Sequence, residues 1–262
     1  MTLHELARAG LPLDVFVIDE HCHIGMYANQ YLNCDGLPRI IRMMDRLGID
    51  MAVISHMAAL SADFTWGNDE VIKAIDAYPD RIYGYCTINP LYPNEIRGEL
   101  ERCFKHPGIK GIKLHPWMHE RPLSHKNYYK AYEFAQERGC SVMSHTYSPE
   151  DVLHTGVLAR EFPDASFIMA HAGGEVPFIE MAIDVLNAHD NVYADVAVSD
   201  AFEGFVEWLV RETSSKKILF GTDMNCMDPT ATLSRVAMAE ISEDDKRDVL
   251  GLNMQRILLR CK

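Results

Sequence analysis

Val15-Phe16-Val17-Ile18-Asp19-Glu20-His21-Cys22-His23 is an apolar run that ends abruptly in acids and imidazoles. Four apolar residues, three of them β-branched, read as a strand buried on both faces. The polar residues closing it read as the point where that strand reaches a site. Side chains two apart on a strand share a face, so Asp19, His21 and His23 are expected to project together, with Cys22 turned towards the helices. Two imidazoles held side by side suit a divalent metal, because neutral imidazole nitrogen ligates such ions well. Two polar residues in a loop would give the same letters, so the motif alone leaves both open.

The same grammar recurs along the chain. Further strand-like runs cover 51–54, 82–88, 109–115, 141–145, 166–171, 192–198 and 218–223. Helix patterns cover 36–47, 68–78, 93–104, 126–138, 149–162, 176–188, 202–212 and 244–259, with Gly48 and Gly139 as stops and Asn68 as an N-cap. Strand starts recur every 25–35 residues, the length of one strand–helix unit. Eight such units in 262 residues predict a single-domain (β/α)8 TIM barrel, an α/β fold. An open doubly wound sheet would carry a G-x-G-x-x-G after its first strand, and none is present.

Composition narrows the partners. Hydrophobic residues make up 48% and charged residues 24%, enough apolar material for a large core without covalent staples. A net charge of −13 disfavours nucleic acid and anionic membrane as partners. No apolar stretch approaches a membrane span, and the N-terminal residues lack a signal-peptide core. Seven cysteines without a C-x-x-C fit reduced thiols in a cytoplasmic protein. The expected partner is a small-molecule substrate, with a homo-oligomer compatible.

In a TIM barrel the site lies at the C-terminal ends of the strands. Those ends carry His21 and His23, Lys113 and His115, His145, His171, Asp195 and Asp223. Core packing does not account for so many ionisable groups at equivalent positions, since burying them unpaired is costly. His56, Trp66, Trp117, Arg121 and Tyr147 follow strand ends and are candidate pocket walls.

Over nearly its whole length the chain resembles the amidohydrolase superfamily, in the branch of metal-dependent lactonases and aminocarboxymuconate-semialdehyde and related decarboxylases. The resemblance rests on Ile18-Asp19-x-His21-x-His23, Gly111-Ile112-Lys113-Leu114-His115-Pro116, Ser144-His145-Thr146, Ala170-His171-Ala172-Gly173-Gly174, Phe220-Gly221-Thr222-Asp223 and the closing segment from Leu250 to Ile257. It implies one divalent metal, zinc first and manganese second, held by His21, His23, His145 and Asp223. His171 would then stand beside the activated water, and Asp223 would carry its proton to the leaving group. Read from its place on the strand, Asp19 either orders the histidine ligands or makes a strand-end hydrogen bond, and both readings stay open. Lys113, which bridges two metals in other branches, is here expected to hold a substrate carboxylate or an interior ion pair, with His115, Trp117 and Tyr147 around the substrate. The implied activity is a metal-dependent hydrolase acting on an ester, lactone or amide of a small organic acid. The alternative is a non-oxidative decarboxylase on the same residues. A barrel that binds without turnover would have no use for the spare base His171.

Overall fold

The computed structural model describes residues 1–26 and 36–262. The chain runs α1 (Leu3–Arg8), β1 (Ile18–Ile24), α2 (Leu37–Leu47), β2 (Met51–His56), α3 (Met57–Ser61), α4 (Phe64–Ala77), β3 (Ile82–Thr87), α5 (Ile96–Cys103) and β4 (Ile109–Leu114). It continues through α6 (Pro116–His119), α7 (Tyr129–Arg138), β5 (Ser141–His145), α8 (Pro149–Glu161), β6 (Ser166–Ala170), α9 (Val176–Ala188) and β7 (Val192–Asp195). It ends with α10 (Phe205–Glu212), β8 (Ile218–Leu219), α11 (Pro229–Ala237), α12 (Glu243–Arg247) and α13 (Asn253–Arg260).

The eight strands pair in parallel in sequence order. β8 returns to β1 through the Glu20 N–H, which donates to the Phe220 carbonyl at 3.0 Å, and a bridge between Cys22 and Met224. The expected (β/α)8 barrel is present. Strand interiors are buried on both faces, which is why they read as near-continuous apolar runs. One layer of core lies between strands and helices. A smaller one fills the barrel's lower end, where Met254, Ile257 and Leu258 of α13 pack with Ile18, Val53, Met143, Ile168 and Leu219. Among the described residues no helix is long and apolar enough to cross a membrane.

Several expected boundaries move. Asn68 is not an N-cap: Asp63 caps α4, its carboxylate accepting from the Trp66 N–H at 2.9 Å. Asn68 is buried inside that helix and donates to Glu99 at 2.7 Å and to the Thr87 carbonyl at 2.9 Å. The long terminal helix is three pieces, with a π-helical stretch at Asp248–Leu252 between α12 and α13. β1 also departs from simple alternation. Its register against β2 shifts between Asp19 and Cys22, and the extra residue re-aims the side chains at the strand's end.

Candidate metal centre and active site

That bulge decides where each residue of the first motif points. Asp19 does not order the histidine rings. Its carboxylate accepts from the Thr222 N–H at 3.0 Å, the Thr222 hydroxyl and the His21 N–H at 3.3 Å, so it fixes the turn leading to Asp223. Burial pushes the Asp19 carboxyl up to about 7 against those hydrogen bonds. Glu20 turns into the barrel, where the Tyr85 hydroxyl donates to it at 2.9 Å. Cys22 packs in the outer core layer, as alternation predicts.

His21 and His23 meet the end of β8. Their Nε2 atoms lie 3.2 Å apart. Asp223 Oδ1 is 3.2 Å from His23 Nε2 and 3.7 Å from His21 Nε2. The far side of each ring is anchored. His21 Nδ1 donates to Asp195 Oδ2 at 2.8 Å, and His23 Nδ1 pairs with the Ser55 hydroxyl at 2.9 Å. Because a carboxylate only accepts, the Asp195 contact places the His21 proton on Nδ1 and leaves a lone pair on Nε2. Close approach at β8 permits this: a Cβ on Gly221 would stand 2.9 Å from the His21 Cβ and 3.1 Å from Asp195 Oδ2.

The donor set fits a divalent ion. Four donors ~2.1 Å from a tetrahedral zinc are ~3.4 Å apart, close to the separations in the His21–His23–Asp223 triangle. Burial holds both imidazoles below their ordinary range, with Lys113 adding to the effect on His21, so both are neutral, as ligation requires. Asp223, in hydrogen-bond contact with His23, sits below the ordinary carboxylate range despite its burial and is ionised. Carboxylate–histidine pairs such as Asp195–His21 are the usual support for a metal-binding imidazole.

His171 sits beside this triangle. Its Nδ1 donates to the Ala197 carbonyl at 2.6 Å, which leaves Nε2 as an acceptor 3.1 Å from His145 Nδ1. Its backbone N–H donates to Asp195 Oδ1 at 2.7 Å, so one carboxylate positions both His21 and His171. His171 and Asp223 both adopt left-handed backbone, with φ of 66° and 55°. Each costs of order 1 kcal/mol, strain that persists where the surroundings fix a functional side chain. His145 lies next to the triangle rather than within it. It stacks on His115, with centroids 4.1 Å apart, and on Tyr147 at 5.4 Å.

Lys113 is fully buried, with Nζ 3.0 Å from His21 Nε2 and 3.2 Å from Met143 Sδ. Burial lowers its pKa. No carboxylate lies within ion-pair distance of it among the described residues. Above it opens a cleft of about 1200 Å³, lined by His23, Lys113, His145, His171 and Asp223 and walled by His115, Trp117, Arg121 and Tyr147. His56 and Trp66 do not line the cleft; His56 caps α3 and meets Trp66 edge to face.

Ser55 and the supporting role of Asp195 are new relative to the sequence. Ser55 stands opposite His23 in the β1–β2 register, so a register assignment would have found it. A further group, Cys86, Glu99 and Cys103, brings potential ligand atoms together between β3 and α5. Its carboxylate is already satisfied by Arg102 and Asn68, at 2.8 and 2.7 Å, and the cluster reads as a buried hydrogen-bond network.

Comparison with known proteins agrees with this fold. A curated relative, 2-keto-4-carboxy-3-hexenedioate hydratase of Sphingobium sp. (strain NBRC 103272 / SYK-6), is 24% identical over 281 residues, covering 84% of this chain and 81% of the relative. Two solved structures share the barrel. A dihydroxybenzoic acid decarboxylase from Polaromonas sp. JS666, with bound manganese and the inhibitor 2-nitroresorcinol, superposes with a TM-score of 0.78 at 17% identity, covering 94% of this chain and 97% of that one. The 4-oxalomesaconate hydratase of Rhodopseudomonas palustris gives 0.69 at 19% identity, with 94% and 96% covered. The family model described as amidohydrolase matches residues 18–259, and with nearly the whole barrel inside that match the chain belongs to the amidohydrolase family.

Proposed function

We propose that this enzyme delivers an activated water to a small organic acid whose carboxylate is held by Lys113. Hydrolysis of an ester, lactone or amide is the leading form, and addition to a double bond conjugated with the acid uses the same water. His21, His23 and Asp223 would hold one divalent ion, zinc or manganese, with His145 as a fourth donor from the neighbouring wall. When bound, such an ion lowers the pKa of water towards ~7 and polarises a carbonyl.

The protein's own groups supply the rest. Asp223, ionised and at the cleft floor, takes the water's proton and returns it to the leaving atom. His171, its tautomer fixed by the Ala197 carbonyl, presents Nε2 as an acceptor that orients the water. His115, Trp117 and Tyr147 flank the bound acid. A cytoplasmic location is part of the same proposal, since the described cysteines form no disulfide.

The observation that carries this choice is the buried Lys113 side chain beside the ligand triangle, with no carboxylate within ion-pair distance of its Nζ among the described residues, although Asp223, Asp195 and Glu20 act on it from further off. A substrate carboxylate placed there keeps its charge through water addition. In decarboxylation the reacting carboxylate must lose that charge as CO₂ departs, so an ammonium contact on it stabilises the ground state and opposes the reaction. Decarboxylation remains the second reading, with the shared fold of the manganese-bound decarboxylase behind it and His171 as proton donor.

A panel of lactones, esters, amides, enoic acids and aromatic carboxylic acids, assayed in H₂¹⁸O with zinc or manganese, separates the two. Solvent ¹⁸O in a newly formed carboxyl or hydroxyl group is expected. Release of CO₂ with a new C–H bond from solvent, and no ¹⁸O incorporated, would replace the proposal with decarboxylation.

A further inference from the structure

Away from the cleft, the last residues of the chain return to the start of β5. The Lys262 N–H donates to the Arg138 carbonyl at 3.0 Å, and Arg138 Nη1 donates to the Lys262 carbonyl at 3.2 Å. Gly139, left-handed at φ 64°, leaves room for this tail, since a Cβ there would lie 3.1 Å from the Arg260 carbonyl oxygen. The pairing sets the Cys261 thiol beside that of Cys140. Cys140 is fully buried, whereas Cys261 is partly exposed with Lys110 and Arg138 nearby.

We propose that Cys261 is a site of reversible thiol–disulfide modification by low-molecular-weight disulfides, with Cys140 as the resolving thiol. Exchange needs an accessible thiolate to attack and a second thiol in reach to displace the adduct. Cys261 meets the first need. The neighbouring Cys140 thiol and the two nearby cations hold its thiol below the ordinary range despite partial burial. Cys140 meets the second: the neighbouring Cys261 and its own burial push its thiol up, so it stays protonated until called on. The Cys86–Cys103 pair is also in contact, but both thiols are fully buried and out of reach of such a reagent.

The chemistry balances with the reagent as oxidant. The Cys261 thiolate attacks one sulfur of RS–SR, forming Cys261–S–SR and releasing RS⁻. Cys140 gives up its proton and attacks the Cys261 sulfur, releasing the second RS⁻. Two electrons pass from the protein thiols to the reagent, which leaves as two RSH. The new bond closes a loop of about 120 residues and ties down α13, whose apolar face caps the barrel. Restricting the unfolded chain in this way stabilises the fold.

Incubation of the folded protein with oxidised glutathione, followed by alkylation, intact mass and peptide mapping, tests the assignment. The wild type should lose the mass of two hydrogens, yield a Cys140–Cys261 cross-linked peptide and retain no glutathione. Its Tm should rise by ~10 °C and fall back on adding dithiothreitol. Cys140→Ser should trap one glutathione on Cys261, and Cys140→Ala, an apolar replacement in the same buried site, should do likewise. Cys261→Ser should show neither cross-link nor adduct on Cys140. Folded wild type lacking the Cys140–Cys261 bond, or glutathione retained on Cys261 while Cys140 is intact, would overturn the proposal.

Discussion

At the lower end of the barrel, Ile18, Val53, Met143, Ile168 and Leu219 meet Met254, Ile257 and Leu258 in an apolar plug. At the upper end the strands finish in His21, His23, Lys113, His145, His171 and the turn carrying Asp223, and all of these but His21 line one cleft. The lower end buries apolar surface, each side chain contributing ~1.5–3 kcal/mol. The upper end buries imidazoles, a carboxylate and an ammonium, and places His171 and Asp223 in left-handed backbone. Such groups are costly unless paired, and here they are paired with one another or left facing the cleft. The contrast teaches that the plug provides stability, whereas the rim spends part of it on function. Substitutions should therefore separate cleanly by end.

The largest effect is expected at the rim. Asp223→Asn would remove both a proposed ligand and the proposed proton acceptor, and activity should fall by more than ~10⁴-fold with little change in the urea midpoint. His171→Asn should lower turnover by ~10²–10⁴-fold while metal content stays near the wild-type level. Metal lost in step with activity would make His171 a ligand. At the lower end the pattern should invert. Ile257→Ala, in the plug, should cost ~2–5 kcal/mol of stability by urea unfolding and leave the turnover of the folded fraction within about twofold. A plug substitution that abolished turnover in folded protein would break the comparison.

A smaller effect tests the boundary between the two ends. His119 belongs to α6 on the rim, yet it is buried against the Tyr128 hydroxyl at 2.7 Å rather than facing the substrate. Burial lowers its pKa from 6.5 to about 4. The unfolded chain therefore takes up this proton first as pH falls, so its stabilising contribution is complete above about 6.5 and is lost towards 4. Between pH 7.5 and 5 it should account for about 2 kcal/mol of lost stability. Unfolding free energies from urea melts at those two pH values should differ less in His119→Gln than in the wild type, by about that amount.

Much of this was legible in the sequence because periodicity and strand-end chemistry are local. The span of β5 and that of α9 match their apolar patterns, and Gly139 ends α7 in a left-handed turn as its position implies. What escaped depends on tertiary contact. The bulge in β1 sends Asp19 to Thr222 and leaves the support of His21 to Asp195, 174 residues away. Asn68 sits where a cap would, but it serves Glu99 and Thr87 across a helix–strand contact. The short rim helices α3 and α6 carry too few turns to show a period, and α11 follows a strand end rich in polar residues. The role of His145 lies between the two cases: its place at the end of β5 was readable, whereas its stacking on His115 was not.

The most direct test of the central claim is metal content per chain, measured by elemental mass spectrometry on folded protein. About one equivalent of zinc or manganese is expected in the wild type, reduced to background when His21→Ala and His23→Ala are combined and sharply lowered in His145→Ala. Metal unchanged in the double variant would contradict the assignment of this triangle as the centre. Two equivalents that fall to one in Lys113→Ala would contradict the single-ion site and place Lys113 on a second ion instead of on the substrate.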